Sequence, residues 1–287
     1  MNNPSRRVRT LIGHQHVAVG LKCLGSLLRL SSEPLSLLIH DDGTLTAEDQ
    51  EALTSRLPGS TILARAEADS LILPLLTRYP NCLSYRRNHP LALKLIDMPL
   101  LEKGDLAYCD SDVFFLRPYT RLYVWPEEKS SAVFMQDSQE AYSLRPWHLY
   151  PIGKMRLPRR VNSGLILFRT AAYDLDFIEW VLGHQPLGEV FKKRQHWIEQ
   201  TCWAALGWRV GCYVWSARQL IIASPEMSGL SNDTVGIHFV AACRSKLNDF
   251  PEQTSEAQES AAVVIHSAPS RASSPLRLLI QDVVKKL

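Results

Sequence analysis

With 287 residues, 46% of them hydrophobic, the chain is long enough to bury the core of one large α/β domain. Its net charge of +3, from 32 basic and 29 acidic residues, argues against a general nucleic-acid binder, although local basic patches stay open. The six cysteines show no CxxC pair and fit a reducing cytoplasm, and no apolar run of signal-peptide or membrane-span length appears, so a soluble cytoplasmic protein is expected.

Val8 to Gly13 reads as a first strand, and Val17 to Leu30, apolar at helical spacing, as the helix after it. Leu35 to His40 is a second strand ending in His40-Asp41-Asp42-Gly43. Thr46 with Asp49 three residues on has the pattern of an N-cap and predicts a helix to about Leu57. Thr61 to Ala64 is a third strand, and helical stretches cover Ala68 to Arg78 and Leu91 to Glu102, the second interrupted by Pro99. The apolar run Leu106 to Cys109 then reads as a buried strand, with Asp110 and Asp112 where it ends. On an extended backbone these two carboxylates point to the same side, and they repel unless something cationic sits between them. A divalent metal carrying phosphate oxygens is the natural guest at the carboxyl end of such a strand; the plain alternative is a turn, since Asp and Ser are common loop formers. The alternation of strands and helices predicts a mainly parallel sheet flanked by helices. Neither GxGxxG nor GxxxxGK[ST] is present, so a metal rather than a glycine-rich loop is expected to hold phosphates.

Ala132 to Gln136 is another strand. Asp137 to Arg160, carrying Trp147, His148, Tyr150, Lys154, Arg156, Arg159 and Arg160, reads as a long loop, either a lid or a solvated basic segment. Val161-Asn162-Ser163-Gly164 feeds the apolar strand Leu165 to Phe168, its small residues letting a ligand approach the backbone. Helices are expected over Ala171 to Leu182 and Glu199 to Leu206, the latter opening with Glu199 and Gln200. Strands follow at Arg209 to Trp215, Gln219 to Ile222 and Val235 to Val240, the last holding His238, with Arg244 and Lys246 beyond. Pro251 to Ser260 reads as a mobile loop and Val263 to His266 as a last strand. Leu276 to Leu287 is an amphipathic helix with Lys285 and Lys286 near its end; it is expected to pack on the domain, with peripheral membrane contact as the minority reading.

Together, Tyr-Cys-Asp-Ser-Asp-Val, Val-Asn-Ser-Gly-Leu-Ile-Leu-Phe, the Glu-Gln pair opening a helix and Ile-His-Phe resemble the GT-A glycosyltransferases, most closely those of family 8, from the first strand to about Lys246. The resemblance implies a single α/β domain with a mainly parallel nucleotide-binding sheet over residues 1–250; it does not reach 251–287, which are read from their own pattern as loop, strand and helix packed on the same domain. It implies a metal-dependent, retaining hexosyltransferase-type enzyme that moves a sugar from a nucleotide-diphosphate donor, a UDP-sugar, to a carbohydrate, lipid-linked or other small acceptor. Asp110, Asp112 and His238 would be the metal ligands, with His266 the alternative third one; two carboxylates and an imidazole leave about three positions of octahedral Mn²⁺ or Mg²⁺ for donor oxygens and water. By the same resemblance Asp110 also lies near the donor ribose, Lys94, Arg244 and Lys246 contact the donor, Asn162 and Ser163 touch its sugar, and Glu199 with Gln200 sit beside the anomeric carbon. The pattern breaks at Gly13-His14-Gln15-His16, where the family usually offers an Asp or Asn for the base. Asp41 or Asp42 is then either the acceptor of a base N–H or a turn residue. The rival reading is a phosphohydrolase of the haloacid dehalogenase type, which also uses strand-Asp-x-Asp but on the first strand of its domain.

Overall fold

A computed structural model of the chain describes residues 5–144, 155–183, 195–227, 229–251 and 259–267. Trp147, His148, Tyr150 and Lys154 of the expected loop, and the helix expected over Leu276 to Leu287 with its membrane reading, lie outside the described residues. Four strands, Arg6–Ile12 (β1), Leu35–Asp41 (β2), Thr61–Leu63 (β3) and Asp105–Cys109 (β4), alternate with the helices Val17–Leu30 (α1), Ala47–Arg56 (α2), Arg65–Ile72 (α3), Pro80–Asn88 (α4) and Met98–Leu101 (α5). Val8 to Ile12 are all buried, the mark of a strand covered on both faces. Helix α1 lays Val17, Leu21, Leu24 and Leu27 against one of those faces, three or four residues apart as an apolar stripe requires.

Val113–Phe115 (β5), Tyr119–Thr120 (β6), Ala132–Gln136 (β7) and Val161–Arg169 (β8) come next, then Leu175–Gly183 (α6) and Ile198–Val210 (α7). Cys212–Trp215 (β9), Leu220–Ile222 (β10), Gly236–His238 (β11), Ala261–Ala262 (β12) and Ile265–Ser267 (β13) complete the strands. The main sheet has eight strands in the order β13-β9-β7-β8-β4-β1-β2-β3. Its β4-β1-β2-β3 half is parallel throughout, as the alternation predicts. Strand β8 departs from that rule, running antiparallel to both β4 and β7, whereas β9 returns parallel to β7. The start of β8 therefore lies beside the ends of β4 and β7, with Leu165 opposite Cys109 and Val161 opposite Gln136. Alternate residues of β8 serve the two layers: Ile166 and Phe168 pack with Trp203, Leu165 and Leu167 with Trp215. Each such large buried side chain contributes roughly 1.5–3 kcal/mol of burial. A second sheet, β10-β11-β5, pairs His238 with Val113.

Several boundaries differ from the sequence reading. The helix expected over Ala68 to Arg78 is cut at Pro74, leaving α3 and a 3₁₀ turn at Leu75–Arg78, and Pro80 then opens the unforeseen α4 at a first-turn position where its missing N–H is harmless. Leu91 to Glu102 is not one α-helix: a π-helical turn at Leu93–Asp97 runs into α5, which carries Pro99 in its first turn. The strand expected from Arg209 starts only at Cys212, because α7 continues through Val210 and the chain turns at Gly211, φ 73°. The last strand is split, Ala261–Ala262 pairing with β6 and Ile265–Ser267 with β9.

Candidate functional site

Strand β4 delivers Asp110 to the rim of the sheet. Its backbone N–H donates to Gly164 O at 2.7 Å, and a turn closed by Val113 N to Asp110 O at 3.2 Å carries the chain into β5. Strand β11 pairs with β5, and Phe239 N donates to Asp112 O, so His238 is brought over the carboxylate turn by main-chain pairing. One ligand atom from each of Asp110, Asp112 and His238 lies within 4.8 Å of the others. His238 Nε2 is 3.0 Å from Asp112 Oδ1 and 3.5 Å from Asp110 Oδ2.

Two cations hold the pair of carboxylates. Lys94 Nζ donates to both oxygens of Asp110 at 3.1 and 3.2 Å, and Arg244 Nε donates to Asp112 Oδ2 at 2.8 Å. The π-helical turn is what aims Lys94, whose ammonium also lies 4.6 Å over the ring of Tyr108, itself hydrogen-bonded through its hydroxyl to Asp110. Burial works against the imidazolium of His238, but Asp112 and then Asp110 outweigh it and raise its pKa above the ordinary value. Burial likewise opposes the Asp112 carboxylate, yet His238 and Arg244 bring its pKa below the usual range. Lys94 shows the same balance: burial lowers its pKa, and Asp110 with Glu199 more than restores it.

Behind Asp110 lies a second buried acid. Glu199, in the first turn of α7, accepts from Ser163 Oγ at 3.0 Å through Oε2, while Oε1 faces Lys94 Nζ at 3.4 Å and is buried without a hydrogen bond. Burial pushes its pKa up to about 7 against the pull of Lys94. Gln200 is more heavily engaged: its Nε2 donates to Ala141 O at 2.8 Å and lies 3.4 Å from Asp137 Oδ2, and its Oε1 accepts from Ser163 N at 3.3 Å. Asn162 donates through Nδ2 to Asp137 Oδ2 at 3.0 Å and accepts through Oδ1 from Gly164 N at 2.8 Å. Gly164 has no side chain for a reason: a Cβ there would stand under 3.0 Å from the His238 ring and 2.9 Å from Asn162 Oδ1.

Asp110, Asp112, His238, Lys94, Arg244, Asn162, Ser163, Glu199 and Gln200 thus form one continuous cluster. Lys246 is not part of it, donating instead to the carbonyls of Ser224 and Pro225 at 3.2 and 2.6 Å. The segment Ala241–Asp249 is 3₁₀-helical, so residues two apart point in different directions and only Arg244 turns back to Asp112. His266 is also elsewhere, on β13 opposite Val214 of β9, at the edge of the main sheet with β9, β7 and β8 between it and β4. Asp41 and Asp42 both serve the turn after β2: Asp41 Oδ1 accepts from Gly43 N at 2.7 Å, and Asp42 Oδ1 from Thr44 N at 3.0 Å. The other oxygen of Asp42 overhangs Gly13 at the end of β1, in the space a Cβ would need. Asp137 and Tyr108 belong to the cluster without having stood out in the sequence, although Asp137 directly follows an apolar strand as Asp110 does.

No protein-family model matches the chain, and no curated protein's sequence matches it. Among solved structures, mouse xyloside xylosyltransferase 1 in its apo form superposes with a TM-score of 0.54 at 12% identity, over 82% of this chain and 98% of that one. An active-site mutant of LgtC gives 0.50 at 12% identity, over 85% and 94%. The fold is that of the GT-A glycosyltransferases. The dehalogenase-type reading is not supported, since that arrangement has its carboxylate pair after the first strand, whereas here β1 ends at Ile12 with Gly13 following and the pair comes after β4. Among the described residues no helix of this GT-A domain is long and apolar enough to cross a membrane.

Proposed function

We propose that the chain is a glycosyltransferase that takes a sugar from a nucleotide-diphosphate donor, a UDP-sugar, and passes it to a carbohydrate, lipid-linked or other small acceptor. The observation that carries this reading is the convergence of Asp110, Asp112 and His238 within 4.8 Å at the carboxyl end of β4, on a GT-A sheet. Two hard carboxylate oxygens and one imidazole nitrogen suit Mn²⁺ or Mg²⁺, the imidazole favouring manganese. Bound there, the metal would act as a Lewis acid toward the departing diphosphate.

The chain's own groups supply the rest. Arg244, whose side chain is 41% exposed, can turn from Asp112 to a phosphate oxygen, while Lys94 stays beneath Asp110 and holds it in place near the ribose. Asn162 and Ser163 present the mouth of β8 to the donor sugar. Gln200 keeps one lone pair of Oε1 beyond its long bond to Ser163 N, and an amide oxygen there favours positive charge as it develops at the anomeric carbon. Gln200 is no base, and both oxygens of Glu199 face protein groups rather than an acceptor, which supports retention of configuration.

The test is nucleoside-diphosphate release from a panel of nucleotide sugars with Mn²⁺ and with chelator, for the wild type, Asp112→Ala and His238→Ala. Turnover with Mn²⁺ alone, lost in both variants, is the expected result. Undiminished turnover in chelator removes the metal from the scheme, and phosphate release from simple phosphoesters with no nucleotide sugar consumed removes the transferase. Proton NMR of the anomeric coupling in the product decides the stereochemistry, an inverted linkage overturning retention.

A further inference from the structure

The metal reading leaves open which nitrogen of His238 would give its lone pair to a metal held by the carboxylates it faces. A neutral imidazole carries its proton on one nitrogen only, and the hydrogen bond made by the far nitrogen chooses which. In this structure the far nitrogen is Nδ1, 3.1 Å from Asn162 Oδ1.

The orientation of that amide is fixed twice. Gly164 N–H, a donor, is 2.8 Å from Asn162 Oδ1, and Asp137 Oδ2, an acceptor, is 3.0 Å from Asn162 Nδ2. Turned over, the amide would set N–H against N–H on one side and oxygen against oxygen on the other, with Asp137 and Asn162 both buried from water. Asn162 Oδ1 is therefore an acceptor, and His238 Nδ1 must donate to it. Asp137 is held in its turn by Gln139 N at 3.1 Å to Oδ1.

We infer that Asp137, Asn162 and His238 form a tautomer relay: Asp137 orients Asn162, Asn162 keeps the proton on Nδ1, and Nε2 is left as the nitrogen whose lone pair a metal on Asp110 and Asp112 would take. Asp137 is a positioning residue, acting on the ligand set through Asn162. The absence of a side chain at Gly164 is part of the device, since a Cβ would drive the His238 ring off Asn162. The relay rests on the metal reading above and specifies how that site is made ready.

The test is Mn²⁺ affinity of the full chain, by titration calorimetry and by electron paramagnetic resonance of free Mn²⁺, with no donor present. Asp137→Asn places a donor where acceptors are required on both oxygens, and is expected to weaken Mn²⁺ binding by about 10–100-fold, as loss of a group supporting a metal ligand does. Asn162→Asp alone opposes two carboxylates and should weaken it as well. Combining Asp137→Asn with Asn162→Asp exchanges donor and acceptor across the 3.0 Å contact while still giving Nδ1 and Gly164 N an acceptor, so affinity should recover to within about threefold of the wild type. Wild-type affinity in Asp137→Asn, or a combined variant no better than Asp137→Asn, overturns the relay. A measurement on the unaltered chain guards against misfolding of the variants: ¹⁵N shifts of His238 in the protein loaded with diamagnetic Mg²⁺ should show the proton on Nδ1 and none on Nε2, and a proton kept on Nε2 in the loaded protein overturns the relay. If the wild type takes up no Mn²⁺, the metal reading fails and the relay with it, an outcome distinct from Mn²⁺ binding that is indifferent to Asp137.

Discussion

Glu199 is a carboxylic acid set where water does not reach, and its pKa of about 7 has a consequence for stability. Between 4.5 and 7 the folded chain keeps a proton there that the unfolded chain has released, so the native state binds more protons and loses stability as pH rises across that window. The displacement is worth on the order of 3 kcal/mol at about 1.36 kcal/mol per unit. Glu199→Gln should flatten that decline; urea unfolding of both proteins at pH 5 and pH 7.5 measures it, and equal slopes would show that Glu199 is not the group responsible. Gly164 makes a sharper demand. Gly164→Ala should leave a folded protein destabilised by roughly 1–3 kcal/mol, the usual cost of overpacking, while Mn²⁺ affinity drops at least about tenfold because the ring of His238 has nowhere else to go. Calorimetric titration with Mn²⁺ checks this, and unchanged affinity would mean that the backbone absorbs the methyl group.

Elements show which features local sequence encodes. Thr46 and Asp49 cap α2 reciprocally, Thr46 Oγ1 accepting from Asp49 N at 3.2 Å and Asp49 Oδ2 from Thr46 N at 2.9 Å, as their spacing predicts. Thr46→Ala should cost about 1 kcal/mol in urea unfolding and leave metal affinity untouched, α2 contributing no side chain to the carboxylate cluster. The capping box was legible because its donors and acceptors lie within four residues. So were β1, β2, β4 and β7, whose apolar runs are bounded by polar turns; the pair Asp110 and Asp112 was found at the end of β4 as expected, but it is the turn closed by Val113 N to Asp110 O, and not the alternation of an extended backbone, that brings the two together. The direction of β8 was not legible: Val161 to Phe168 reads the same whichever way the strand is paired, and only the sheet as a whole turns it against β4. The π-helical turn that buries Lys94 was hidden for a related reason, since Leu91 to Glu102 has an ordinary helical pattern and the widened turn comes from packing. Asp137 opened a polar stretch and so looked like loop, although β7 ends beside β8 and places it against Asn162. Arg244 and Lys246 looked equivalent in sequence, and the 3₁₀ geometry separates them.

At the scale of the whole molecule, the three ligand residues are held by a two-layered core but are paired with each other and with Lys94 and Arg244 instead of with solvent. A cation that binds only the native arrangement stabilises it by mass action, about 2.7 kcal/mol at a hundred times its Kd. Mn²⁺ should therefore raise the unfolding temperature of the wild type by several degrees, on the scale of roughly 2–4 °C per kcal/mol for a large domain. The shift should vanish in His238→Ala; a shift of the same size there would place the cation somewhere else. The reversed strand carries one more implication. Because β8 is threaded between β4 and β7, and His238 arrives only after β11 has paired with β5, no fragment that stops short of β11 brings the ligands together. During synthesis or refolding the carboxylate turn must wait for almost the entire chain, through contacts that are slow to form because they are distant in sequence. Metal capture is then a marker of completed folding: in a refolding experiment the appearance of a tight Mn²⁺ site should coincide with the slowest phase, after helical signal and apolar collapse have already been gained.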